Sequence, residues 1–141
     1  GLPNEPKDAI TKTLYLIKFI KKNHKRNEIL LFFYTPYPGN ELWDESIKYG
    51  FVPPKSLEEW SNYNITEVTT PWVTEEYKKK AHTFLYHINV AYSDRKTKER
   101  IKKNKLKKAG YNIMRLISLL RLNTNFYALP LEIKLKNMIL S

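Results

Sequence analysis

The sequence contains no cysteine, which excludes disulfides, thiolate zinc sites, cysteine nucleophiles and cysteine-ligated iron–sulfur clusters built from this chain alone. Glycine is scarce, with four in 141 residues, and none belongs to a run that could cradle a phosphate. Long apolar runs are missing too. The longest, Ile29 to Tyr34, is far short of the roughly 20 residues that a bilayer requires. No charged-then-apolar leader opens the chain, so it reads as a soluble, cytoplasmic protein with no membrane partner.

The charge is unevenly spread. Net charge is +11, but Arg95 to Lys108 holds nine Lys/Arg against the single acid Glu99, a local +8 that leaves +3 for the rest. Lysines outnumber arginines 20 to 5, a bias toward diffuse charge over bidentate recognition. No aromatic lies between Arg95 and Lys108 to stack on a base. The segment therefore reads as a solvated face rather than a nucleic-acid or anionic-membrane site. Hydrophobic residues make up 42% of the chain and aromatics 13%, enough to bury apolar surface.

Apolar positions Ile10, Leu14, Ile17 and Ile20 step by four, three and three, which predicts a helix from about Pro6 to Asn23 with one buried stripe. Glu28 to Thr35 is then continuously apolar, β-branched and aromatic, the pattern of a strand buried on both faces. Pro36, Pro38 and Gly39 stop it, and Asn40 caps a helix over 41–49 that Gly50 ends. Ser56 and Glu59 form a capping box before Trp60, and Thr74 caps a helix over 75–92. The basic segment reads as a helix broken at Gly110, followed by helices over 113–122 and 130–140. A buried strand needs neighbours, yet only Ile65 to Thr70 offers a weak second one, so the sheet is expected to be completed by sequence outside these residues. The opening on a Gly-x-Pro turn points the same way, to the C-terminal part of a longer protein.

Two stretches carry a resemblance: Gly1-Leu2-Pro3-Asn4-Glu5-Pro6, and Phe33-Tyr34-Thr35-Pro36-Tyr37-Pro38-Gly39-Asn40. With Gly50 to Trp60, Pro71-Trp72, and the tail around Arg121-Leu122 and Phe126 to Leu135, they resemble the C-terminal part of radical S-adenosylmethionine enzymes, most closely the branch with a cobalamin-binding domain. The chain departs from that pattern at Asn4, where the family has glycine, and at Pro6, where it has threonine. The family's three-cysteine motif for the [4Fe–4S] cluster is missing.

The resemblance implies an α/β fragment: the last strand or strands and helices of a partial (β/α) barrel over 1–52, then a mainly helical extension over 53–141. It implies an iron–sulfur oxidoreductase-like parent that cleaves S-adenosylmethionine reductively to a radical on an unknown substrate. The chain's partner would be the N-terminal remainder of that parent, which would hold the cluster and possess any cobalamin. By position, Phe33, Tyr34, Thr35 and Pro36 would lie near the adenine, with Gly1, Pro3 and Glu5 beside it. No residue takes a catalytic or metal role, and the chain alone should be inactive. His82 and His87 are five apart, off the i, i+4 spacing of helical zinc sites. The alternative is a helical basic module that docks on nucleic acid or an acidic partner.

Overall fold

A computed structural model describes residues 1–127 except 25, 64–66, 68, 94 and 103–104. The order is α1 (Ala9–Asn23), α2 (Trp43–Lys48), α3 (Leu57–Trp60), α4 (Glu75–Ala91), α5 (Arg95–Lys102) and α6 (Lys105–Thr124). Among the described residues there is no strand. The expected α/β fragment of a partial (β/α) barrel is therefore corrected to a helical architecture.

The physical reason lies in 28–35. A strand exists only through a ladder, and the one candidate neighbour does not supply it: Glu67, Thr69 and Thr70 are in no strand, and the rest of 65–70 lies outside the described residues. Nor is the segment buried on both faces. Leu30 and Phe32 are 74% and 60% exposed, whereas Ile29, Leu31 and Phe33 are half-buried. This alternation by two is that of extended chain with one side open.

The chain divides into two compact units, Gly1–Ala9 with Leu30–Lys79, and Ile10–Ile29 with Lys80–Ser141. In the first, α2 ends in a full Schellman motif: Gly50 takes φ +90°, its N–H donates to Ile47 O, and Phe51 N–H donates to Ser46 O, both at 3.0 Å. A side chain at Gly50 would be strained in that left-handed conformation. The capping box holds in part. Ser56 Oγ accepts from Glu59 N–H at 3.3 Å, but the Glu59 carboxylate accepts from Lys55 N–H instead of Ser56. Asn40 accepts from Leu42 N–H at 2.9 Å and so caps the turn ahead of α2. A chain of ring contacts fills this unit: Tyr37 stacks on Trp60 at 5.5 Å, and Tyr63, Phe51 and Trp43 continue it at 5.6–5.9 Å.

The second unit packs helices. α1 buries Ile10, Leu14 and Ile17, and the part of α4 beyond Lys79 buries Ala81, Phe84, Ile88 and Ala91, each set on one helical face. α6 faces them with Ser118 and Leu122. Polar groups fix the register: Tyr111 Oη donates to Val90 O at 3.0 Å, Arg115 Nε donates to Ala91 O at 3.2 Å, and fully buried His87 Nδ1 lies 3.0 Å from Ser118 Oγ. The break expected at Gly110 is not there, because α6 runs through Gly110. One glycine weakens a helix by only about 1 kcal/mol against alanine, and Tyr111 and Arg115, which follow it, are tied to α4 by their hydrogen bonds to Val90 O and Ala91 O. Asn125 ends α6 with φ +53°, and Phe126 N–H donates back to Arg121 O at 3.3 Å. The helix expected over 130–140 lies outside the described residues.

Candidate functional site

Within the first unit, the Gly1–Glu5 turn and the end of the extended segment meet, although about 30 residues separate them in sequence. Asn4 stands at φ +55°, which Asn tolerates better than most residues, and Glu5 N–H donates to Leu2 O at 3.2 Å. A methyl group placed on Gly1 would lie 3.9 Å from Tyr34 N and 4.0 Å from Val73 Cγ2, so the turn rests directly on both segments. The Gly1 carbonyl accepts from Trp72 Nε1–H at 3.1 Å. The Trp72 ring lies 6.5 Å from Tyr34 and meets Tyr49 edge-on at 6.1 Å. Tyr34 Oη is 3.1 Å from buried Ser46 Oγ, which itself donates to Leu42 O at 2.8 Å. That pair joins the extended segment to α2.

Glu5 is the polar centre. Its Oε2 accepts from Tyr77 Oη–H at 2.6 Å. Burial, then the hydrogen bond to Glu5, then the charge of Glu5 push the Tyr77 phenol above its ordinary range, so it remains a protonated donor. Tyr77 is placed by the start of α4, where its own N–H donates to Thr74 Oγ1 at 3.2 Å. This is the cap expected at Thr74.

The structure thus brings together Gly1, Glu5 and Tyr34. Pro3, Thr35 and Pro36 are buried in the same unit, and Phe33 is half-buried there. Sequence reasoning missed Tyr77 as the partner of Glu5, and no local signal could have supplied it across 72 positions. It also missed Thr69 and Thr70, whose Oγ1 atoms are buried with no hydrogen-bond partner. A buried hydroxyl without a partner costs on the order of 1–3 kcal/mol. Thr70 is next to the Pro71-Trp72 turn, its carbonyl accepting from Val73 N–H at 3.3 Å.

Among the described residues no group of three or more His, Asp or Glu is placed to hold a metal ion. No helix among them is long and apolar enough to cross a membrane. No protein-family model, curated protein or solved structure matches the chain.

Proposed function

We propose that the first unit lines the adenine side of the S-adenosylmethionine site in a radical S-adenosylmethionine enzyme. The observation that carries the reading is the meeting of its two motif stretches: the Gly1–Glu5 turn lies on the backbone of Tyr34 and is held there by Trp72 and Tyr77. Motifs that share a site must converge, and nothing in a linear pattern requires it. The residues suit an adenine: aromatic faces at Tyr34 and Trp72 can stack on a base, and the backbone beside Thr35 can read its edge. The buried hydroxyls of Thr69 and Thr70 supply polar capacity that the protein itself leaves unused.

They do not suit the cluster, because a chain without cysteine offers no thiolate. Its ligands belong to the remainder of the parent, where reduction of the bound cofactor supplies the radical. Cobalamin is implied by the resembling branch alone, and no residue here is assigned to it. The open side of 28–35, with Leu30 and Phe32 exposed, is the surface on which that remainder packs. The chain's own tasks are to hold the adenine, exclude water with its aromatic ring chain and keep Glu5 fixed through a phenol that stays protonated.

The test is the coding sequence upstream of Gly1. An in-frame three-cysteine motif supports the reading. A stop codon or an unrelated frame immediately upstream overturns it.

A further inference from the structure

Folding regroups the positive charge. Along the sequence it is concentrated in 95–108, with only +3 elsewhere. Counted by unit, the first holds five Lys/Arg against ten Asp/Glu, a net −5, and the second holds 20 against four, a net +16. Small soluble domains carry net charges of roughly 2–8 in magnitude. The excess arises because the second unit adds the α1 stretch to the basic segment: six Lys/Arg and no carboxylate lie between Asp8 and Glu28.

The two stretches meet around one ring. Lys21 stands over Tyr92, with Nζ 5.9 Å from the ring centroid. Burial, and then the charge of Lys98 on α5, lower the pKa of Lys21, with Glu28 opposing them. The Arg115 charge from α6 acts on the Tyr92 phenol, against the upward push of its burial. Three helices thus bring like charges together, an arrangement that a bound anion relieves. α1 also carries a mixed outer face. At 100° per residue, Lys12, Tyr15, Phe19 and Lys22 fall within about 80° of one another, opposite the stripe of Ile10, Leu14 and Ile17. Tyr15 and Phe19 are each 66% exposed, and both lysines are exposed.

We propose that the second unit binds single-stranded nucleic acid, with bases stacked on Tyr15 and Phe19 and phosphates held by Lys12, Lys22 and the Lys21–Lys98 pair. A cationic surface with aromatic platforms is how sequence-tolerant strand binding works. The segment 95–108 reads as a solvated face because it has no aromatic of its own; α1 of the same unit supplies two. Lysines, as mobile point charges, suit repeated phosphates better than bidentate readout of bases.

Charge also ranks the other occupants. A second copy repels, and residues 128–141 carry one acid against two lysines, so neither neutralises the unit. A single strand brings one charge per nucleotide and releases condensed counterions as it binds, a gain that an acidic protein surface lacks. A bilayer needs a continuous apolar face, whereas this one has a lysine at each end and the apolar stripe of α1 is already buried. The proposal concerns the second unit and stands independently of the cofactor reading.

The experiment titrates the full chain into a labelled single strand of about 20 nucleotides and mixed sequence. At about 150 mM salt, anisotropy should give a Kd below about 10⁻⁶ M, tighter than typical non-specific association, and tighter than for a duplex of equal length. Tyr15→Ala with Phe19→Ala should weaken binding tenfold or more and leave its salt dependence unchanged. Lys12→Gln with Lys22→Gln should instead lower the slope of log K against log salt by about 1.4, at about 0.7 per phosphate contact. Lys48→Gln with Lys55→Gln, in the first unit, is the control and should change neither, with melting curves showing that every variant is folded. Binding weaker than about 10⁻⁴ M, or indifference to either α1 pair, overturns the proposal. So does equal or tighter binding of the duplex, of polyglutamate or of phosphatidylserine vesicles.

Discussion

Replacing Tyr77 by phenylalanine removes one oxygen and leaves the ring, so it isolates the bond that ties the start of α4 to Glu5. At 2.6 Å to a carboxylate, this is a short charge-assisted hydrogen bond. Bonds to charged groups contribute about 1.5–3 kcal/mol, and the Glu5 side chain is 23% exposed, so partial hydration lowers the expected loss to about 1–2 kcal/mol. For a chain of this length that corresponds to a drop of roughly 3–10 °C in melting temperature. The assay is tryptophan fluorescence, because Trp43, Trp60 and Trp72 all belong to the first unit and report its unfolding selectively. Tyr77→Phe and Glu5→Gln should couple by about 1 kcal/mol in a double-mutant cycle. The pH dependence gives an independent sign. The folded phenol titrates above its unfolded value of 10.0, so the unfolded chain releases the proton first. Stability from this group is complete below pH 10 and declines as pH rises through the folded pKa. The phenylalanine variant lacks that titration, so the gap between it and the parent should narrow in alkali. Coupling below about 0.3 kcal/mol, within the error of additivity, or a gap that widens above pH 10, would refute the reasoning.

Two further outcomes are expected. Ser118→Ala removes a partner of fully buried His87 and should destabilise the second unit by about 1–3 kcal/mol, read by circular dichroism; a neutral result would mean that this hydrogen bond is not formed in solution. The exposed side chains of Leu30 and Phe32 are expected to make the unsubstituted chain self-associate in light scattering, and Leu30→Lys with Phe32→Lys should abolish this while changing stability by no more than about 0.5 kcal/mol. A parent chain that is already monodisperse would contradict the exposure argument.

Helices were legible wherever a stripe and a cap agreed. Ile10, Leu14 and Ile17 drew α1, Thr74 opened α4, and Gly50 closed α2, because each signal acts within one or two turns. The segment 28–35 misled for a reason of the same kind. Its β-branched and aromatic residues record a preference for extended chain, but whether extended chain becomes a strand depends on a neighbour that composition cannot reveal. Gly110 reads as a stop, but a single weak residue yields to the long-range hydrogen bonds of Tyr111 and Arg115. In the candidate site, Gly1, Glu5 and Tyr34 were named from their motifs. Tyr77 and Thr70 were not, because what singles them out is a partner, or the lack of one, in the folded chain.

The division of the chain has a consequence for its synthesis. The first unit is complete once Lys79 has been made, but α1, which lies between its two segments, belongs to the second unit and packs with residues that come after Lys79. At roughly 5–20 residues per second, the stretch from Lys80 to Leu122 takes on the order of 2–9 s to emerge. During that interval the later residues that α1 is grouped with in the second unit are not yet available to Ile10, Leu14 and Ile17. Helix formation takes about a microsecond, so α1 waits on the ribosome, and that wait is the window in which a chaperone or a neighbouring nascent chain can compete for it.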